Sequence, residues 1–178
     1  LWAVGLGTLA FSMEDILLEP FGGEILGLTV AQTTYLTAIL AAGGLSGFAW
    51  ASHVLSRGAD PFRMACRGAW VGIPAFAAVI ISAPQASATL FSLGVFFIGY
   101  GAGLFGHGTL TATMNSAPSG EAGLALGAWG AVQASTAGVA MALGGIVRDV
   151  AAQFVDFELK KIYTSDAVRC LDTVKELS

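Results

Sequence analysis

From Gly68 to Gly120 the chain runs for 53 residues without a lysine, arginine, aspartate or glutamate. A helix needs about 20 apolar residues to cross the hydrocarbon core of a bilayer. This stretch therefore holds two spans and a tight turn. Ile25 to Ser56 is free of charge for 32 residues and Ala122 to Val147 for 26. Five spanning helices are expected, at about 1–20, 30–55, 66–83, 88–115 and 121–147. The fold class is all-α and polytopic. The alternative membrane architecture, a β-barrel, needs strands that alternate apolar and polar. The run from Leu90 to Gly99 does not alternate.

The distribution of charge removes the other classes. Of 20 charged side chains, 11 fall between Arg148 and Ser178, which leaves nine for the first 147 residues. Such a body cannot make a solvated surface, and at 55% hydrophobic it is too apolar for a disordered chain. Cys66 and Cys170 lie too far apart, in surroundings too different, to suggest a disulfide scaffold. No basic patch suggests nucleic acid. The partner implied is the lipid bilayer. Residues 1–149 read as a helical membrane domain and 150–178 as a charged tail. In the tail, Val168, Leu171, Val174 and Leu177 recur every three residues, so a short amphipathic helix is expected over 166–177. The chain opens at Leu1 inside an apolar run, and is read as a fragment whose first helix is clipped. Residues 1–13 lack the basic region and cleavage site of a signal peptide.

Breaks between spans have chemical causes. Pro20 with Gly22 and Gly23 is expected to end the first helix. Polar turns are expected at 56–61, 82–85 and 115–120, and Pro74 is expected to kink the third span. Arg57, Arg63 and Arg67 cluster at the second connection, which the positive-inside rule places in the cytoplasm. The Gly22 and Pro84 connections then face outward and the Pro118 connection inward. Arg148 and Asp149 also face outward, a placement that runs against the rule.

Four glycine pairs have G-x-x-x-G spacing: Gly43/Gly47, Gly68/Gly72, Gly99/Gly103 and Gly123/Gly127. With no side chain at i and i+4, one backbone can approach another closely. Such pairs are ordinary packing faces, sliding surfaces or seats for a large flat ligand, and spacing does not separate these.

Ionisable and polar groups inside spans are the candidate functional residues. Glu14, Asp15 and Glu19 sit near the end of an apolar helix, Glu14 roughly 9 Å before Pro20. Asp15 and Glu19 share a face, and Glu14 points about 100° away from Asp15. They are proton sites, or headgroup-zone residues if the helix ends early. His107 lies within its span between Gly106 and Gly108, which leaves the imidazole open on both sides. It can ligate a metal, carry a proton or hydrogen-bond a neighbouring helix. Gln133 falls at the middle of the last span and suits an interhelical hydrogen bond better than a ligand contact. His53, near a helix end, reads as an interface residue. No metal-ligand spacing, nucleophile elbow or phosphate loop is present, so no enzyme is expected and no catalytic residue is assigned.

Four blocks carry a resemblance: Leu9 to Leu28 (LAFSMEDILLEPFGGEILGL), Arg57 to Pro61 (RGADP), Gly106 to Leu110 (GHGTL) and Leu124 to Gln133 (LALGAWGAVQ). Together they resemble the PucC/LhaA-like bacteriochlorophyll-delivery family of the major facilitator superfamily, over residues 1 to about 150. The resemblance implies twelve helices in two halves, of which this chain would supply helices seven to eleven. The N-terminal six-helix half is then a missing partner. Arg57, Gly58, Asp60, Pro61 and Arg63 occupy the place of that superfamily's cytoplasmic gate-loop motif, whose Asp and Arg side chains cap helix ends.

The function implied is assembly of light-harvesting complexes in a bacterial inner, cytoplasmic or intracytoplasmic photosynthetic membrane. Bacteriochlorophyll would be the cargo, and antenna polypeptides or reaction-centre subunits the partners. His107 would suit axial ligation of the pigment magnesium. The alternatives are proton-coupled transport of a small solute through Glu14, Asp15 or Glu19, and a ligand-free membrane scaffold. The tail departs from the family pattern. Where a twelfth helix is implied, Val150 to Tyr163 carries four charges, as a native variant or a frameshift product would.

Overall fold

A computed structural model of the chain describes residues 1–156, without the side chains of Asp15 and of residues 151–156. Six helical segments follow one another: α1 (Trp2–Ser12), α2 (Glu14–Glu24), α3 (Val30–Leu55), α4 (Pro61–Ser82), α5 (Ala88–Asn115) and α6 (Ala122–Asp156). Among the described residues there is no strand. Four helices are long and apolar enough to cross a membrane: α3, α4, α5 and α6 over Ala122–Val150. The first expected span is the pair α1–α2, joined through Met13, whose backbone stays helical at φ −65° and ψ −26°.

Local chemistry sets the ends of these helices. Thr29 caps α3 in a reciprocal box. Its side chain accepts from the Gln32 amide at 3.4 Å, and Gln32 Oε1 accepts from the Thr29 amide at 2.9 Å. Ser87 caps α5, accepting from the Leu90 amide at 3.2 Å. Asp60 caps α4, accepting from the Phe62 amide at 2.9 Å, with Pro61 at the first helical position. For that reason α4 starts at Pro61 and not near 66: the cap outweighs the two arginines that read as loop. Gly58, at φ +86°, closes the turn before it.

Two further boundaries differ from expectation. Pro20 lies inside α2, and the helix continues to Glu24. Proline removes one backbone donor there, but the segment is held by packing. Leu18 is buried in the main apolar cluster, and the Phe21 ring stacks on Phe91 with centroids 5.5 Å apart. The last helix runs past 147 to Asp156. The amphipathic helix expected over 166–177 lies outside the described residues.

The chain divides into two units, Leu1–Ile146 and Val147–Ser178. In the second, Arg148 bonds Asp149 at 3.1 Å. In the first, α5 is the central helix, with α3 and α4 packed along it. Phe91, Val95 and Ile98 of α5 are fully buried, and with Leu18, Leu36, Ala75 and Val79 they form the core. A smaller cluster of Ala51, Met64 and Leu104 lies nearer the Arg57 turn.

Glycine permits this close fit. A Cβ at Gly43 would strike the Phe96 carbonyl oxygen, at Gly47 that of Tyr100, at Gly99 that of Leu40 and at Gly103 that of Gly44. Backbone thus rests on backbone where α3 meets α5. Gly68 of α4 meets the backbone of Gly101 and Phe105, while Gly72 seats the Phe11 ring. Gly123 and Gly127 are different: nothing among the described residues lies within 4 Å of a Cβ built on either. Both glycines lie on an exposed face of α6.

Candidate functional site

The side of α5 away from that contact borders an open cleft of about 430 Å³ between α1, α5 and α6. Its walls are mostly apolar, with Phe11 and Phe105 side by side at a centroid distance of 5.9 Å. Three polar residues line it: Thr8 and Ser12 from α1, and Gln133 from α6. Thr8 and Ser12 are four apart and so share a face of α1.

Thr8 differs from most threonines of α5 and α6. A helical threonine inside a membrane commonly turns its hydroxyl back onto the carbonyl four residues earlier. Thr109 bonds Phe105 in this way, Thr111 bonds His107, Thr113 bonds Thr109 and Thr136 bonds Val132, all between 2.7 and 2.9 Å. Thr8 makes no such bond. The residue is only 9% exposed, and its Oγ1 is buried without a hydrogen-bond partner among the described residues. An unsatisfied buried hydroxyl costs about 1–3 kcal/mol, a cost that a ligand acceptor or donor in the cleft would remove. The Gln133 side chain also makes no hydrogen bond among the described residues, in place of the interhelical bond expected of it.

The other candidates occupy separate places. Glu14 is buried, at 6% exposure, near the junction of α1 and α2. Glu19 is exposed and accepts a hydrogen bond from Thr37 of α3 at 3.2 Å. The Asp15 side chain lies outside the described set. His107 packs against Phe48 of α3, with ring centroids 4.2 Å apart and planes inclined at 60°. Its Nδ1 is buried with no hydrogen-bond partner among the described residues. Only one of its flanking glycines leaves space. Gly106 borders the cleft, whereas a Cβ at Gly108 would sit 2.7 Å from the Ala65 nitrogen of α4. The imidazole is thus on the α3 side, about 100° around α5 from Gly106. Among the described residues, no three His, Cys, Asp or Glu side chains come together.

The model of the PUCC protein family matches residues 1–170. The chain belongs to the PUCC family. Protein PucC of Rhodovulum sulfidophilum is 62% identical over 149 residues, which is 84% of this chain and 33% of that protein. Protein PucC of Cereibacter sphaeroides is 57% identical over 147 residues, 83% of this chain and 32% of the relative. A Rhodobacter capsulatus protein described as an uncharacterized protein in the puhA-bchM intergenic region is 53% identical over 149 residues, 84% of this chain and 31% of its own length. The chain thus spans about a third of the curated relatives it matches. No solved structure matches it. The family match extends some 20 residues beyond residue 150, where the motif resemblance ends, into the charged tail.

In this PUCC chain the Arg57 turn is a helix-capping device. Besides the Asp60 cap, Arg63 lies 3.7 Å from Asp60, and both side chains are well exposed. Sequence reasoning reached Gln133 in the cleft but missed Thr8 and Ser12. The signal was there, two hydroxyls at i and i+4 on an otherwise apolar helix, yet such residues ordinarily satisfy themselves on their own backbone.

Proposed function

We propose that this chain is the pigment-holding part of a light-harvesting assembly factor, and that bacteriochlorophyll binds in the cleft between α1, α5 and α6. The observation that carries the reading is the buried, unsatisfied Thr8 hydroxyl in an apolar cleft. Bacteriochlorophyll is a flat apolar ring with carbonyl groups at its edge. Thr8, Ser12 and Gln133 supply donors for such carbonyls, and Phe11 and Phe105 supply apolar ring surface. Sites of this kind, mostly apolar with a few placed polar groups, are what orient a ligand. Membership of the PUCC family supports the coarser part of this reading, a light-harvesting assembly role.

His107 is a second place for the pigment, through axial ligation of its magnesium, favoured by its unsatisfied Nδ1. An absorption spectrum of the chain purified from a phototrophic host separates the two. A near-infrared pigment band that falls in Thr8→Val and survives in His107→Ala places the pigment in the cleft. The opposite pattern moves it to His107, and no band in the wild-type chain ends the pigment reading. Proton-coupled movement of a small solute rests on the buried Glu14; uptake unchanged by Glu14→Gln would remove it.

A further inference from the structure

A second groove, of about 780 Å³, runs along the outside of α4 and α5 and is bordered by Trp50 of α3. Its two ends differ in chemistry. At the end nearer the Arg57 turn stand Arg67, Trp50, Trp70 and Tyr100; towards the other end the lining is apolar, as at Ala78 and Leu90. From Arg67 to Ala78 the groove follows α4 for about 16 Å. That is roughly half the ~30 Å hydrocarbon thickness, the depth of one leaflet.

Arg67 sits seven residues inside α4, about 10 Å from its Asp60 cap. Arg63 has Asp60 within ion-pair distance, but Arg67 has no ion pair or hydrogen bond among the described residues. A guanidinium at that depth is stabilised by an anionic partner, and its stem can lift the charge towards the headgroups to meet one. Trp50 and Trp70 beside it are 55% and 73% exposed. Tryptophan with one apolar and one polar edge is typical of the membrane interface. We infer that this groove holds an anionic phospholipid, its phosphate on Arg67 and one acyl chain laid along α4 and α5. Basic pockets between helices at a membrane face recognise anionic head groups in this manner.

The test uses the chain in nanodiscs of equal phosphatidylglycerol and phosphatidylcholine, extracted into detergent, with retained lipid measured by mass spectrometry. The wild-type chain retains phosphatidylglycerol in preference. Arg67→Gln lowers its retention about fivefold, Arg67→Lys keeps most of it, and Arg57→Gln leaves it unchanged. Ala78→Trp, which fills the tail end of the groove, lowers retention with Arg67 intact. Arg67 is exposed, so Arg67→Gln is expected to melt at the wild-type temperature in the same detergent. Equal retention of both lipids by the wild type, retention of neither, or phosphatidylglycerol unaffected by Arg67→Gln would overturn the inference. Retention of neither by a chain that runs as a dimer would assign the groove to a second copy.

Discussion

The two sides of α5 are built by different rules. Towards α3 and α4, glycines bring backbones into contact and Phe91, Val95 and Ile98 are fully buried. Towards α1 and α6, α5 makes its contacts through side chains: its Phe105 ring lies against Gly7 of α1, and Trp129 of α6 donates to Thr109 at 3.3 Å. On the first side, nothing can be inserted between the touching backbones. The second leaves a cleft and an unsatisfied hydroxyl. The difference teaches that one helix serves as both the keel of the bundle and the wall of a site, and that the rigid side can hold the open one in place.

Substitutions on the two sides should separate accordingly. Phe91→Ala removes a fully buried ring from the core and is expected to cost about 3–5 kcal/mol, read as loss of the folded chain in detergent unfolding. Gly99→Val drives a side chain into the Leu40 carbonyl and should cost about 1–3 kcal/mol or more. Asp60→Ala removes the cap of α4 and is expected to cost about 1 kcal/mol, with Asp60→Asn retaining most of the stability. Gly123→Leu, on the open face of α6, should stay within about 0.5 kcal/mol of the wild type. A Gly123→Leu effect as large as that of Gly99→Val would break the comparison, since it would show α6 packed as tightly as α3.

The sequence showed one side of this arrangement better than the other. The bounds of α3 and α5 were legible because Thr29 and Ser87 are strong caps placed before long charge-free runs. Three of the four glycine pairs mark where helices touch, but spacing is blind to whether a neighbour is present, and Gly123/Gly127 has none among the described residues. The start of α4 was obscured because Arg63 and Arg67 resemble loop residues, although Asp60-Pro61 is a helix start. Pro20 was misleading because one lost hydrogen bond weighs less than the packing of Leu18 and Phe21. Within the cleft, Gln133 was visible as a lone amide in a span. Thr8 was not, because whether a threonine hydroxyl is satisfied depends on three-dimensional packing.

The central claim is that the open side of α5 holds the ligand while the close-packed side holds the fold. The most direct test is the pigment-to-protein ratio of the Thr8→Val, Gln133→Leu double variant, purified from a phototrophic host and measured by absorption beside the wild type and Gly123→Leu. The expected result is a ratio reduced about tenfold or more, as the loss of two hydrogen bonds implies, with the melting temperature kept and Gly123→Leu unchanged. A double variant that retains the wild-type ratio would contradict the account.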